Sequence, residues 1–134
     1  MKILIVDDST SWREFHKNAI EEIFIELDIE EYEIELASSA RQGYDCLMFN
    51  NENPYNLIIT DLQMEEDFEP KYAGEWFVEQ IKTFKNYINT KIVISSGCYN
   101  IKQIAESLGI NFIPKRVAIS DINKYKSDII QLLK

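Results

Sequence analysis

Nowhere does the chain hold an apolar run near the roughly 20 residues that a membrane-crossing helix needs, which argues against a spanning segment. Cysteine is scarce: Cys46 and Cys98 stand alone, without the CxxC spacing of a metal or redox motif. Histidine occurs once, as His16 inside a helical stretch. With no second histidine to support a metal or acid–base role, a solvent-facing place is expected for it. Basic residues are outnumbered, 14 Lys and Arg against 23 Asp and Glu, and a net charge of -9 argues against nucleic acid as a direct ligand. The opening "MKILIVDD" runs into acid after four apolar residues, too soon for a signal peptide. A cytoplasmic location with free thiols is expected.

What is present is a globular composition. With 134 residues, 46% of them apolar, the chain suits one domain over residues 1–134 with a genuine core. Short β-rich runs alternate with segments of helical period throughout, the pattern of repeated βα units on a parallel sheet. The strand candidates are "ILIV" (3–6), "YEIELA" (32–37), "NLIIT" (56–60), "KIVIS" (91–95) and "NFI" (111–113). The first, third and fourth are almost continuously apolar, as central strands covered on both faces should be. "YEIELA" alternates and "NFI" is short, so both suit edges. Between them, Phe15, Ala19, Ile23 and Leu27 follow the capping segment "DSTS", "SSARQGYDCLMF" gives a second helix, and Phe77, Ile81 and Phe84 a third. Ile101, Ile104, Ala105 and Leu108 mark a fourth that ends at Gly109, and Ile122, Tyr125, Ile129 and Leu133 the last. Trp12 and Trp76 are expected to pack.

Ligands of open α/β sheets sit outside the carboxyl ends of the strands. Each candidate polar residue follows such an end: Asp7 and Asp8 after the first strand, Asp61 after the third, Ser95 and Ser96 after the fourth, Lys115 after the fifth. An aspartate or serine after a strand is also an ordinary turn or cap residue. The concurrence of four strand ends with complementary chemistry is what favours a site. Three converging carboxylates repel one another unless a hard cation relieves them, and Mg²⁺, content with one or two carboxylates, waters and a phosphate oxygen, suits a shallow site. Beside such a cation an aspartate can attack phosphorus and become an aspartyl phosphate, and Asp61 is the expected nucleophile. A hydroxyl from the fourth strand and the Lys115 ammonium would take the remaining phosphoryl oxygens.

Together "ILIVDDS", "NLIITDLQM", "KIVISSG" and "NFIPK" resemble, in order and over essentially the whole chain, the receiver domain of bacterial two-component response regulators. No output domain follows within these residues, so the likeness is to the stand-alone, chemotaxis-regulator type or to a receiver cut from a longer protein. The resemblance implies a flavodoxin-like (βα)5 three-layer sandwich with a five-stranded parallel sheet of order 2-1-3-4-5. It implies phosphoryl transfer from a sensor histidine kinase or phosphotransfer protein to Asp61, with Mg²⁺ held by Asp7, Asp8, Asp61 and the main-chain carbonyl of Gln63. Ser95 and Lys115 would bind the phosphoryl group. A switch is implied in which Ser95 moves toward the phosphate, Phe112 changes its burial, and a face for a downstream protein is altered. Such a protein is a signalling phosphoacceptor, catalysing only its own phosphorylation and dephosphorylation.

Two departures from the family pattern stand out. The segment between Asp61 and Gly74 is longer than usual and carries Glu65, Glu66, Asp67 and Glu69. Arg116 follows Lys115 where the family usually has proline, and a trans peptide is expected there, since cis before a non-proline residue costs about 2.5–4 kcal/mol. Two other functions compete. A degenerate receiver would serve as a phosphorylation-independent protein-binding module, but its usual sign, loss of an acidic, hydroxyl or lysine position, is missing. A haloacid-dehalogenase-like phosphatase needs a second aspartate two residues beyond the nucleophile, where this chain has Gln63.

Overall fold

A computed structural model describes residues 1–64 and 71–134; the segment 65–70, with Glu65, Glu66, Asp67 and Glu69, lies outside the described residues. Five strands, β1 (Lys2–Val6), β2 (Glu33–Ala37), β3 (Leu57–Thr60), β4 (Lys91–Ser96) and β5 (Asn111–Pro114), form one sheet. All neighbouring pairs are parallel and the order is β2-β1-β3-β4-β5, the expected one. Six α-helices accompany them: α1 (Thr10–Glu26), α2 (Ala40–Phe49), α3 (Ala73–Thr83), α4 (Ile101–Leu108), α5 (Lys115–Ser120) and α6 (Ile122–Leu133).

The strand period of two divides the side chains between two cores. Leu4, Val6, Ile58 and Ile94 face a layer in which Leu47, Phe77, Val78, Ile81, Ile101 and Ala105 of α2, α3 and α4 are buried. Ile3, Ile5, Leu57, Ile59, Val93 and Ile113 face the other way, onto Ala19, Ile20, Ile23, Phe24, Tyr125 and Ile129 of α1 and α6. The result is a three-layer α/β/α sandwich. Burial on both faces explains why β1 and β3 read as unbroken apolar runs, while edge strand β2 buries only Ala37. Lys2 enters buried β1 at the far end from the acids, where its ammonium meets the Asn50 side chain and the Asn53 carbonyl at 3.2 Å.

Three expectations need correction. The buried face of α1 is His16, Ala19, Ile20, Ile23 and Phe24, so the apolar stripe is rotated from the one read through Phe15 and Leu27. His16 therefore lies inside, 1% exposed, rather than in solvent. The carboxyl-terminal region holds two helices, because the six residues of α5, too few to display a period, form a helix directly after β5 and abut α6 at Asp121.

Candidate functional site

The site assembles at the carboxyl edge of the sheet because register puts the strand ends side by side. Val6 pairs with Thr60, Thr60 with Ile94, and Ser95 with Ile113. Each strand's next residues therefore emerge at one edge: Asp7 and Asp8, Asp61, the end of β4, and Lys115. Backbone bonds extend the ladder one step further, from Asp61 N to the Val6 carbonyl at 2.9 Å and from Asp7 N to the Ala37 carbonyl at 3.1 Å. Carboxylate oxygens of Asp7, Asp8 and Asp61 lie within 4.8 Å of one another. Asp7 and Asp61 are 1% and 5% exposed, whereas Asp8 is half-buried.

Lys115 sits between the two buried acids. Its Nζ is 3.0 Å from Asp61 Oδ2, to which it donates a hydrogen bond, and 2.9 Å from Asp7 Oδ2. The second contact is an ion pair off the hydrogen-bonding direction, since Asp7 Oδ2 makes no hydrogen bond among the described residues. The other oxygens are fixed by main chain: Leu62 N donates to Asp61 Oδ1 at 2.7 Å and Ser9 N to Asp7 Oδ1 at 2.9 Å. Burial raises the Asp61 carboxyl above the usual carboxylate range; Lys115 opposes the rise and Asp7 adds to it. Burial also penalises the Lys115 ammonium, but the attraction of Asp61 and Asp7 outweighs it and holds the lysine above its ordinary value.

Ser95 and Ser96 are both 1% exposed at the end of β4, and their bonding distinguishes them. Ser96 Oγ accepts from Cys98 N at 3.2 Å, tying down the loop. The Ser95 hydroxyl makes no hydrogen bond among the described residues, a condition that normally costs about 1–3 kcal/mol for a buried group. Gln63 is exposed just beyond Asp61, and Phe112 is half-buried in β5 against the α2–α4 side of the core. Cys98 is buried and Cys46 half-buried, both as free thiols.

Sequence reasoning missed three supporting residues. Gly74, at the start of α3, touches the backbone that carries the Asp61 carboxylate: a Cβ there would lie 2.0 Å from the Asp61 carbonyl oxygen, and Gly74 N donates to the Leu62 carbonyl at 2.9 Å. Its only sequence signal is a glycine at a helix start. Arg13 Nη1 donates to the Asp7 carbonyl at 2.7 Å, bracing the acidic turn from the first turn of α1. Trp12, expected only to pack, lies under the lysine, with Nζ 4.8 Å from its ring centroid.

The donor set fits a divalent metal. It consists of hard carboxylate oxygens held close together, one of them without a hydrogen bond, and it already draws an ammonium into its centre. Around a transferring phosphoryl group, the same edge offers a lysine ammonium and an unengaged hydroxyl as donors.

No family model and no curated protein matches the chain. Solved structures do match in fold. The signal receiver domain of a two-component histidine kinase from Clostridium thermocellum superposes with TM-score 0.71 at 17% identity, covering 99% of this chain and 97% of that one. The non-phosphorylated HemR receiver domain from Leptospira biflexa gives 0.72 at 17% identity, with 99% and 94% covered. A CheY-like response regulator receiver domain protein from Methanospirillum hungatei gives 0.66 at 17% identity, with 98% and 95% covered. The chain has the fold of response-regulator receiver domains over nearly its whole length. At these identities the likeness is one of fold, and the chemistry has to be argued from the side chains.

Proposed function

We propose that residues 1–134 are a phosphoacceptor receiver domain of two-component signalling, taking a phosphoryl group onto Asp61 from a sensor histidine kinase or phosphotransfer protein. The observation that carries this reading is the buried Asp7–Lys115–Asp61 arrangement with Asp8 alongside and the unengaged Ser95 hydroxyl at the adjacent strand end. A carboxylate oxygen of Asp61 attacks phosphorus, a P–O bond forms as the P–N bond to the donor imidazole breaks, and the imidazole leaves with the bonding pair and takes a proton. Asp7, Asp8, Asp61 and the Gln63 carbonyl would hold Mg²⁺, which neutralises charge on the phosphoryl oxygens when bound. Lys115 and Ser95 donate to those oxygens, and water later hydrolyses the acyl phosphate.

Engagement of the Ser95 hydroxyl is the local event, and Phe112, whose neighbour Ile113 pairs with Ser95, is the side chain that changes its burial in response. The altered surface then recruits a downstream protein. On this reading the chain acts as a cytoplasmic signalling phosphoacceptor, without direct binding of nucleic acid or membrane. No helix among the described residues is long and apolar enough to cross a bilayer.

The test uses acetyl phosphate with and without Mg²⁺. The protein should gain the mass of one phosphoryl group in Mg²⁺, and neither the chelated sample nor Asp61→Asn should gain it. No gain in the wild type overturns the function, and a gain in Asp61→Asn overturns the residue.

A further inference from the structure

Among the described residues, the Lys115 ammonium has a neighbour outside the acidic set. Its side chain is 14% exposed, enclosed by Asp7 from the end of β1, Asp61 from the end of β3 and Trp12 from the first turn of α1. Trp12 does not approach by chance. The Ser9 side chain caps α1 by accepting from Trp12 N at 3.3 Å, which fixes that residue in the turn after the acidic pair. Its ring packs against Phe15 at 5.1 Å and His16 at 5.6 Å, and Phe15 and His16 pack in turn on buried Tyr125. The indole thus belongs to an aromatic cluster spanning α1 and α6, and the Lys115 ammonium lies 4.8 Å from its ring centroid.

The ammonium and a divalent cation want the same oxygens. While Lys115 holds Asp7 and Asp61, the indole adds little, because two carboxylates already neutralise the charge. Once those oxygens turn to a metal, the lysine loses both anionic partners and is repelled by the incoming charge. Among the described residues, the Trp12 π face already lies beside the ammonium and favours a partly desolvated cation, and tryptophan is the best of the aromatic side chains for this.

We propose that Trp12 is a positioning residue of this site: its indole face is the seat to which the Lys115 ammonium withdraws when a divalent cation takes Asp7 and Asp61. The inference rests on the Mg²⁺-dependent reading above. It gives Trp12 a share in metal affinity without contact with the metal. It also keeps the ammonium within reach of Asp61, ready to return when phosphoryl oxygens arrive, instead of letting it drift into solvent.

The experiment is a double-mutant cycle on Mg²⁺ affinity in the absence of any phosphodonor, read from amide shifts in the full chain. Trp12→Leu should weaken Mg²⁺ binding about three- to tenfold, the span of a cation–π contact of this kind, and Trp12→Phe should weaken it less. Lys115→Met should tighten binding by removing the competitor, and in that background Trp12→Leu should change nothing. Amide spectra of Trp12→Phe, which retains an aromatic ring, establish that the fold persists. An unchanged affinity in Trp12→Leu, or an equal loss in the Lys115→Met background, overturns the inference while the Mg²⁺ reading stands. A wild-type protein with no Mg²⁺ response overturns both.

Discussion

The His16 imidazole is buried within α1, with Nδ1 and the Tyr125 hydroxyl 2.6 Å apart and sharing one hydrogen bond. Burial, helped by the Lys115 charge, lowers its pKa to about 3, so the ring stays neutral across the physiological range. The folded value lies below the unfolded one, near 6.5. Above that pH the group adds no pH dependence. As pH falls below it, the unfolded chain takes up a proton that the folded chain refuses, and stability drops by about 1.4 kcal/mol per pH unit until the folded value is reached. Carboxylates titrate in part of the same window, so the informative quantity is the difference from His16→Gln. The stability gap between the two proteins should shrink by about 1.4 kcal/mol per pH unit between pH 6 and 4.5, as followed by denaturant unfolding. Parallel pH profiles would show that the ring is not held neutral. Sequence hid this residue because a lone histidine on a polar-looking position reads as solvated; the spacing His16, Ile20, Phe24 was the available signal.

At the scale of elements, α3 begins against the main chain of Asp61. Gly74 lets the helix start against the Asp61–Leu62 backbone, where a Cβ would come 2.0 Å from one main-chain atom and 2.6 Å from another. Backbone cannot yield as a flexible side chain can. Gly74→Ala should cost about 1–3 kcal/mol, in the range of overpacked sites, and should shift the Asp61 and Leu62 amides. Gly97→Ala is the control, because nothing lies within 4 Å of the added methyl, and thermal unfolding should leave it near wild type. Equal behaviour of the two variants would mean that the close approach is not a constraint. The strands themselves were legible from their apolar runs, since a strand covered on both faces has little room for polar residues. Helix α5 was not, and neither was the rotation of α1, because periodicity fixes a helix's existence better than its facing. Spacing alone does not separate Ser95 from Ser96; the family resemblance named Ser95, and the bond from Cys98 N to Ser96 Oγ leaves the Ser95 hydroxyl without a partner among the described residues.

At the scale of the whole molecule, the sheet has two unlike ends. The carboxyl edge gathers Asp7, Asp8, Asp61 and Lys115 from the ends of three strands, while the amino edge buries Lys2 against the Asn50 side chain, the Asn53 carbonyl and the Glu35 carboxylate. Parallel topology makes this asymmetry, because every strand finishes on the same side and every following loop contributes there. That is why Asp7, Asp8, Asp61 and Lys115, scattered between positions 7 and 115, could be read as one cluster before any coordinates, whereas Arg13, Gly74 and the approach of Lys115 to Trp12 could not. They act through neighbours that only the folded chain supplies.

On the proposed function, this edge carries a phosphoryl group on the Asp61 carboxylate. Borohydride reduction converts an aspartyl phosphate, but not a free aspartate, to homoserine, so the most direct measurement is reductive trapping after exposure to acetyl phosphate and Mg²⁺, followed by peptide mass mapping. Homoserine is expected at position 61 and nowhere else, and is lost when Mg²⁺ is chelated. Unmodified aspartate at position 61, or homoserine at another acid, would contradict it.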